Sequence, residues 1–186
     1  MIRLDLHVHS EYSIDGRCRL EQIVKMAKAR GLDGFALTDH NTIAGHERLS
    51  KFRSRNFLVI PGVEISSSKG HIVALGVQNL IPRGLSPAET VERIEAEGGV
   101  AVAAHPFLLG RNPNLVYSAE FHAIEVLNSR AFFPSNELAQ RYARIAKKPM
   151  VAGSDAHRCD EVGLTYTIVE CGPRLDDVLE AIRKGQ

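Results

Sequence analysis

Apolar, strand-like runs alternate with helix-like segments along the whole chain, and this alternation limits the possible folds more than any other feature. The runs are nearly continuous in apolar residues, which is typical of parallel strands covered on both faces by helices. Because about seven strand and helix units follow one another in so short a chain, we predict an α/β fold. This number of units in so short a chain also favours a closed or nearly closed barrel over an open doubly wound sheet, and no glycine-rich motif supports a nucleotide-binding fold.

The helix signals vary in clarity along the chain. Residues 86–99 are typical of a capped helix, with Ser86 as N-cap, Pro87 in the first turn and Glu89 completing a capping box. We also predict a helix at residues 42–55 and another from about Ser135. No repeat, low-complexity tract or long linker interrupts this pattern, and hydrophobic residues make up 44% of the chain. We therefore predict a single domain over residues 1–186, with one substantial core.

Charge and cysteine content bear on location and partners. A formal net charge of +1 provides no overall attraction to nucleic acid or to a membrane surface. We find neither a signal peptide nor an apolar run long enough to span a membrane. Cys18, Cys159 and Cys171 are odd in number and irregularly spaced, which predicts no disulfide framework. Together these features favour a cytoplasmic protein with no membrane partner.

Histidines and acids recur where the predicted strands end. The carboxyl ends of parallel barrel strands meet at one rim, so residues distant in sequence can converge there. Side chains two residues apart on a strand share a face and can act as a pair. Histidine and carboxylate ligands without cysteine suit zinc, manganese or iron. The candidate metal ligands at strand ends are His7, His9, His40, Glu64, His105, Asp155 and His157, with His71 at a strand start.

These residues occur in motifs that resemble the polymerase and histidinol phosphatase (PHP) family. The motifs are H-x-H after the first strand, then "TDHN", "GVEI", "HP" and "GSDAH", in the family's order from Asp5 to His157. The resemblance implies a distorted (β/α)7 barrel with two or three divalent metal ions at its rim. It also implies that the protein is a metal-dependent phosphoric ester hydrolase.

The resemblance also implies a ligand set for each ion. The first site takes His7, His9, Asp155 and a bridging Glu64, and the second shares Glu64 and adds His71 and His105. The third site takes Asp15, His40 and His157, although one extra residue precedes Asp15 compared with the commoner family spacing. Asp39 is expected to orient a metal-ligating histidine or the loop rather than to bind metal.

The implied mechanism is attack on phosphorus by a metal-activated hydroxide. The catalytic residues expected from it are Glu64, His7, His9, Asp155 and His157. Planar guanidinium groups match phosphate oxygens, so the candidate substrate-binding residues are Arg17, Arg111 and Arg130, together with Asn128. Glu125, in the middle of its strand, is either a rim residue or a support behind a ligand.

The Asp15 pattern resembles the family branch that hydrolyses nucleoside phosphates and short oligonucleotides. Only about forty residues separate Glu64 from His105, so the inserted domain of that branch is missing. We expect a small phosphorylated substrate, either a nucleoside phosphate or a short single-stranded oligonucleotide. Histidinol phosphate is the main alternative, and a cyclic phosphodiester or a single-stranded 3′ end also remains open.

Two other classes rank lower. An amidohydrolase-type enzyme usually has a metal-bridging lysine, and no strand-end lysine occurs here. A metal-stabilised scaffold without catalysis would not need to retain the complete ligand set. The oligomeric state is not predicted.

Overall fold

The computed structural model describes all 186 residues and contains an eight-stranded sheet curled into a nearly closed barrel. The strands are β1 (Ile2–Val8), β2 (Gly34–Leu37), β3 (Leu58–Ser66), β4 (His71–Leu75), β5 (Val100–Ala103), β6 (Ala123–Asn128), β7 (Met150–Gly153) and β8 (Thr167–Val169). The helices are α1 (Leu20–Ala29), α2 (His46–Leu49), α3 (Pro87–Ala96), α4 (Ser135–Ala146) and α5 (Leu175–Lys184). The predicted α/β barrel is therefore confirmed.

The strands are not all parallel, in contrast to the prediction. Their order is β7-β6-β5-β4-β3-β2-β1-β8, and β4 is antiparallel to both of its neighbours. Only residues 67–70 connect β3 to β4, and a connection this short can join neighbouring strands only in an antiparallel pair. As a result β4 starts at the rim where β3 ends, with His71 paired to Ser66.

Direct bonds between β1 and the segment after β7 close the barrel at this rim. The backbone N–H of Asp155 donates to the carbonyl of His7 at 2.8 Å, and that of His9 donates to the carbonyl of Ala156 at 2.8 Å. At the opposite end β8 fills the gap, where Thr167 Oγ1 bonds to the backbone of Ala152. The barrel is therefore distorted but continuous around the rim that carries the polar residues.

The apolar side chains of the strands form three clusters, one inside the barrel and two between the sheet and the helices. Inward-facing residues such as Leu6 and Ile60 pack with Val178 and Ile182 of α5, which closes the end opposite the polar rim. A second cluster packs β-strand residues under α3 and α4, and a third packs others under α1. The rim end of the interior is left to polar side chains.

A local irregularity in β1 aims the first histidines at the interior. The pairing of β1 with β2 shifts between Asp5 and Val8. Leu6 belongs to the inner cluster, whereas Val8 packs outside, under α1. Such a bulge changes the face that the following side chains occupy, so that His7 can lie inside next to Leu6.

Two further predictions differ from the structure. Within residues 42–55, only His46–Leu49 forms a helix, and Leu49 is its one buried residue, so this segment lacks the apolar stripe that would extend a helix. Cys18 and Cys159 form a disulfide, which the cysteine spacing did not predict. These cysteines are 141 residues apart and meet because the loops after β1 and β7 are neighbours at the rim. No helix has both the length and the apolar character needed to cross a membrane.

Candidate metal centre

The nine predicted metal ligands come together at the rim of the barrel. Their ligand atoms form overlapping groups, each with all atoms within 4.8 Å of one another. His105 is grouped with His7 and Glu125 and also contacts Glu64. Most of these residues lie where a strand ends, as predicted. His71 starts its strand and still reaches the centre, because β4 runs antiparallel to β3.

Glu64 is the hub of this cluster and is completely buried. Its Oε2 lies 3.3 Å from Nε2 of both His7 and His9 and 3.0 Å from Nδ1 of His40. Its Oε1 lies 2.7 Å from Nδ1 of His71 and 3.0 Å from Nε2 of His105. The two oxygens thus face different histidines, so Glu64 would be able to contribute to both of the first two predicted sites.

Asp155 completes the group around His7 and His9. Its Oδ1 lies 3.6 Å from Nε2 of His7 and 3.3 Å from Nε2 of His9. Asp155 adopts a left-handed backbone conformation with φ of 55°, which is uncommon for residues other than glycine and is enriched at functional sites. This conformation lets the chain turn at the rim while its carboxylate points inward.

Asp15 reaches the centre despite the unusual spacing before it. Its Oδ2 lies 3.4 Å from Nε2 of His40 and 3.1 Å from Nε2 of His157. Ser13 Oγ donates to Asp15 at 3.0 Å and accepts a hydrogen bond from the backbone N–H of His40 at 3.1 Å. Asp15 is the most exposed member of the centre, with 47% of its side chain accessible, so this third group faces solvent.

The chemistry of this donor set fits bound divalent cations. Several buried side-chain atoms have no hydrogen-bond partner: Nε2 of His7, both ring nitrogens of His9, Oε2 of Glu64 and Nδ1 of His105. Unpaired buried polar atoms are costly, and native proteins rarely leave so many together. Metal ions coordinated by these nitrogens and oxygens would satisfy them, and such ligands suit zinc, manganese or iron.

The charges in the cluster are strongly coupled. Burial alone would lower the pKa of His7 and His9, but the neighbouring carboxylates outweigh it, raising the pKa of His7 well above its ordinary value and that of His9 to about 9. Burial would raise the pKa of Glu64 and Asp155, yet the surrounding histidines hold both well below the usual range. Without metal, imidazolium and carboxylate groups therefore neutralise one another, and cations would displace the protons.

Two further buried carboxylates secure the backbone on either side of the ligands. Asp39 accepts hydrogen bonds from the backbone N–H of Ser10 at 2.6 Å and from its hydroxyl at 2.7 Å. Asp5 accepts from the backbone N–H of Ser154 at 2.8 Å and from that of Gly163 at 2.7 Å. Burial raises the pKa of Asp5 to about 6. Asp5 was not among the residues predicted from the sequence, although an acid inside an otherwise apolar strand is a visible signal.

The predicted substrate-binding residues divide into three exposed arginines and one buried amide. Arg111 Nη1 lies 3.3 Å from Nε2 of His71, so its guanidinium reaches the edge of the centre. Arg130 is exposed and lies 3.5 Å from Glu161. Arg17 is exposed, and its backbone N–H donates to the carbonyl of His157 at 2.8 Å. Asn128 is only 1% exposed, and its amide contacts protein groups.

Comparison with models of known protein families assigns the chain to a family. A model described as the PHP domain matches residues 5–147, and a model described as PHP-associated matches residues 133–186. The chain belongs to the PHP domain family. The PHP assignment confirms the motif resemblance and, with it, the expected class of metal-dependent phosphoesterase.

Individual PHP relatives differ in their described activities. An uncharacterized protein of Methanocaldococcus jannaschii is 33% identical over 141 residues, which cover 69% of this chain and 82% of the relative. A phosphoribosyl 1,2-cyclic phosphate 1,2-diphosphodiesterase of Eggerthella lenta is 30% identical, with coverage of 90% of this chain and 70% of the relative. A lesion-specific endonuclease of Pyrococcus furiosus superposes with a TM-score of 0.72 at 19% identity, covering 98% of this chain and 55% of the endonuclease. This last likeness shows a shared fold.

Proposed function

We propose that the protein hydrolyses the phosphate ester of a nucleoside phosphate or of a short single-stranded oligonucleotide, with two or three divalent ions bound at the rim. The observation that carries the proposal is the cluster around Glu64, whose buried and unpartnered ligand atoms lie beside an exposed third group and Arg111. The centre is buried on its inner side and open to solvent at the third group, so it admits a small phosphorylated group. Zinc, manganese and iron are the candidate ions.

Different residues would bind the metal ions and the phosphate in this reaction. His7, His9, Glu64 and Asp155 would hold ions on the buried side of the centre, and His157 with Asp15 lies on the solvent side. Divalent ions, when bound, lower the pKa of water and offset negative charge on the phosphoryl oxygens. Arg111, next to His71, is placed to bind the phosphate through its planar guanidinium, and Arg130 and Arg17 extend from neighbouring loops.

An apolar groove formed by residues that follow β5 and β6 supports a substrate that carries a base. It measures about 250 Å³ and is lined by residues including Phe107, Leu109, Phe132 and Phe133. Phe132 and Phe133 are more than 80% exposed. The loop that supplies Phe107 and Leu109 starts at His105 and ends at Arg111, which contacts His71. Exposed aromatic rings bind bases by stacking, so a base in the groove would leave its phosphate near the metal ligands.

The relatives support phosphate esters of ribose or of nucleic acid as the substrate class. The Eggerthella lenta relative acts on a phosphoribosyl cyclic phosphate, and the Pyrococcus furiosus protein is an endonuclease, according to their names. Histidinol phosphate remains the alternative from the sequence, because the same ligands would serve it.

The cytoplasmic location and the single domain over residues 1–186 remain predictions, and the Cys18–Cys159 disulfide argues against a strongly reducing compartment.

The experiment compares substrates that differ only in the base. Protein reconstituted with manganese or zinc is assayed on adenosine 5′-phosphate, ribose 5-phosphate, short single-stranded oligonucleotides, a ribose cyclic phosphate and histidinol phosphate. We expect a higher kcat/KM for adenosine 5′-phosphate than for ribose 5-phosphate. Stacking contributes about 1–3 kcal/mol per base, so Phe132→Ala should raise KM for the nucleotide roughly tenfold or more without affecting ribose 5-phosphate.

Tyr166→Ala is the matched control, because Tyr166 is a partly exposed aromatic residue that does not line the groove. Equal kcat/KM values for the nucleotide and ribose 5-phosphate would contradict the role of the base. A preference for histidinol phosphate would replace the proposed substrate by its alternative. Absence of hydrolysis on every ester with either metal would overturn the enzymatic proposal itself.

A further inference from the structure

We propose that Glu125 and Asn128 form a positioning pair that holds His7, His105 and Asp155 in the orientation that binds metal. The pair lies behind the ligands, inside the barrel, and both residues are buried. The inference concerns assembly of the metal centre and is independent of which phosphate ester is hydrolysed.

Glu125 uses both of its carboxylate oxygens on ligand residues. Its Oε1 lies 2.9 Å from Nδ1 of His7, and its Oε2 accepts a hydrogen bond from the backbone N–H of His105 at 2.7 Å. A carboxylate at Nδ1 keeps the ring proton on that nitrogen. The unprotonated Nε2 is then free to bind a metal ion. Nε2 of His7 is the atom that faces Glu64 and Asp155.

Asn128 connects this carboxylate to the third ligand. Its Nδ2 lies 3.1 Å from Oε2 of Glu125 and 3.2 Å from Oδ2 of Asp155, and its Oδ1 accepts from the backbone N–H of Arg130 at 2.9 Å. Both polar atoms of the amide are therefore used within the protein. Asn128 consequently holds Asp155 in place instead of contacting substrate, which revises the role we expected from the sequence.

The backbone of β6 is shaped to make this pair. Residues three apart on a regular strand point to opposite faces, so Glu125 and Asn128 would not normally meet. The pairing of β6 with β7 shifts between Glu125 and Leu127, and Leu127 is turned outward with 40% exposure. An irregularity of this kind reverses the facing of the residues that follow it, which brings Asn128 to the same side as Glu125.

The geometry also distinguishes a positioning role from direct ligation by Glu125. A carboxylate oxygen of Glu125 and ring nitrogens of His7 and His105 lie close enough together to hold a metal ion. However, both oxygens of Glu125 already accept hydrogen bonds, whereas Nε2 of His7 and Nδ1 of His105 have no partner. Within this group of three residues, only the histidines have atoms without a hydrogen-bond partner. The histidines therefore bind the ions, and Glu125 orients His7.

Cobalt binding to the metal-free protein tests the pair without any substrate. Co²⁺ is titrated into wild-type protein, Glu125→Gln and Asn128→Ala, and its visible absorption reports both affinity and ligand geometry. Loss of an outer-shell support weakens metal binding by about 10–100-fold. We expect a loss of this size with Glu125→Gln, a smaller loss with Asn128→Ala, and an altered spectrum in both, with unchanged binding at the group formed by Asp15, His40 and His157.

Glu120→Gln is the control, since Glu120 is an exposed glutamate that pairs with Lys148 away from the centre. Far-UV circular dichroism of the metal-free proteins shows whether each variant folds, and Asn128→Ala decides the question if Glu125→Gln does not. Wild-type affinity and spectrum in a folded variant of the pair would overturn the inference. Complete loss of one ion in Glu125→Gln, with the remaining ions bound normally, would overturn it by making Glu125 a ligand.

Discussion

Oε1 of Glu64 lies 2.7 Å from Nδ1 of His71, although Glu64 lies near the end of β3 and His71 is the first residue of β4. The antiparallel turn between the two strands produces this contact, because it brings the start of β4 back to the rim that β3 has just reached. A parallel β4 would have placed His71 at the opposite end of the barrel. The second predicted metal site therefore depends on the direction of a single strand.

Replacing His71 tests this site directly. In His71→Ala, Oε1 of Glu64 keeps only His105 as a histidine neighbour, so we expect the protein to lose about one bound ion per chain, because that ion loses one of its few protein ligands. Elemental analysis of the purified variant measures the loss. His122→Asn, a change at a histidine that contacts Glu95 outside the centre, should leave metal content unchanged. Full metal content in His71→Ala would remove His71 from the ligand set.

The backbone at Gly153 leaves no room for a side chain next to His7, the first of the predicted metal ligands. A Cβ atom at this position would lie 2.4 Å from Cβ of His7 and 3.1 Å from Oε1 of Glu125. Gly153→Ala should therefore displace His7, because packed interiors relax only partly, and overpacking costs about 1–3 kcal/mol. We expect a lower Tm together with weaker metal binding, measured by calorimetry. Gly172→Ala, whose nearest neighbour is a carboxylate oxygen of Asp177 at 3.2 Å, should change neither property appreciably.

Metal binding should depend steeply on pH. The pKa of His9 is raised from 6.5 to about 9 by Asp155 and Glu64, which outweigh its burial, so its proton competes with metal at neutral pH. Affinity should rise with pH up to about 9, and binding at pH 7 should release protons. Isothermal titration calorimetry in buffers of different ionisation enthalpy measures this release. An affinity that does not vary between pH 6 and pH 9 would be incompatible with a protonated His9.

The same pKa shift has the opposite effect on the metal-free fold. A histidine whose pKa is higher in the folded state than in the unfolded state stabilises the fold fully below the unfolded value, here 6.5. This stabilisation is lost as the pH rises through about 9. The Tm of the metal-free protein should accordingly fall over that range, and saturating metal should reduce the fall.

Reduction of the Cys18–Cys159 disulfide should destabilise the protein. The bond joins residues that are 141 positions apart, and a disulfide typically stabilises a protein by about 2–4 kcal/mol, with more for longer loops. Chemical denaturation with and without dithiothreitol measures the change in the free energy of unfolding. Cys159→Ser should reproduce the effect of reduction, whereas Cys171→Ser, which removes the free cysteine, should not.

The amino-acid sequence alone predicted the class of fold and the set of candidate ligand residues that the structure brings together. Apolar periodicity showed where most strands run, and local spacing showed that His7 and His9 could act as a pair, because both signals are contained within one segment. The order of the motifs then supplied the family and its chemistry. The structure brings Asp15 close to His40 and His157, the two residues with which it was predicted to share a site, even though its spacing is unusual.

Only the tertiary structure decided how separate segments meet. The direction of β4, the pairing of Cys18 with Cys159 and the contact of Asn128 with Glu125 and Asp155 were not visible in the sequence. Each depends on which strand lies next to which, or on a one-residue shift that changes the face a side chain occupies. Periodicity within a segment carries no information about its neighbours, so these contacts were settled by the closure of the barrel.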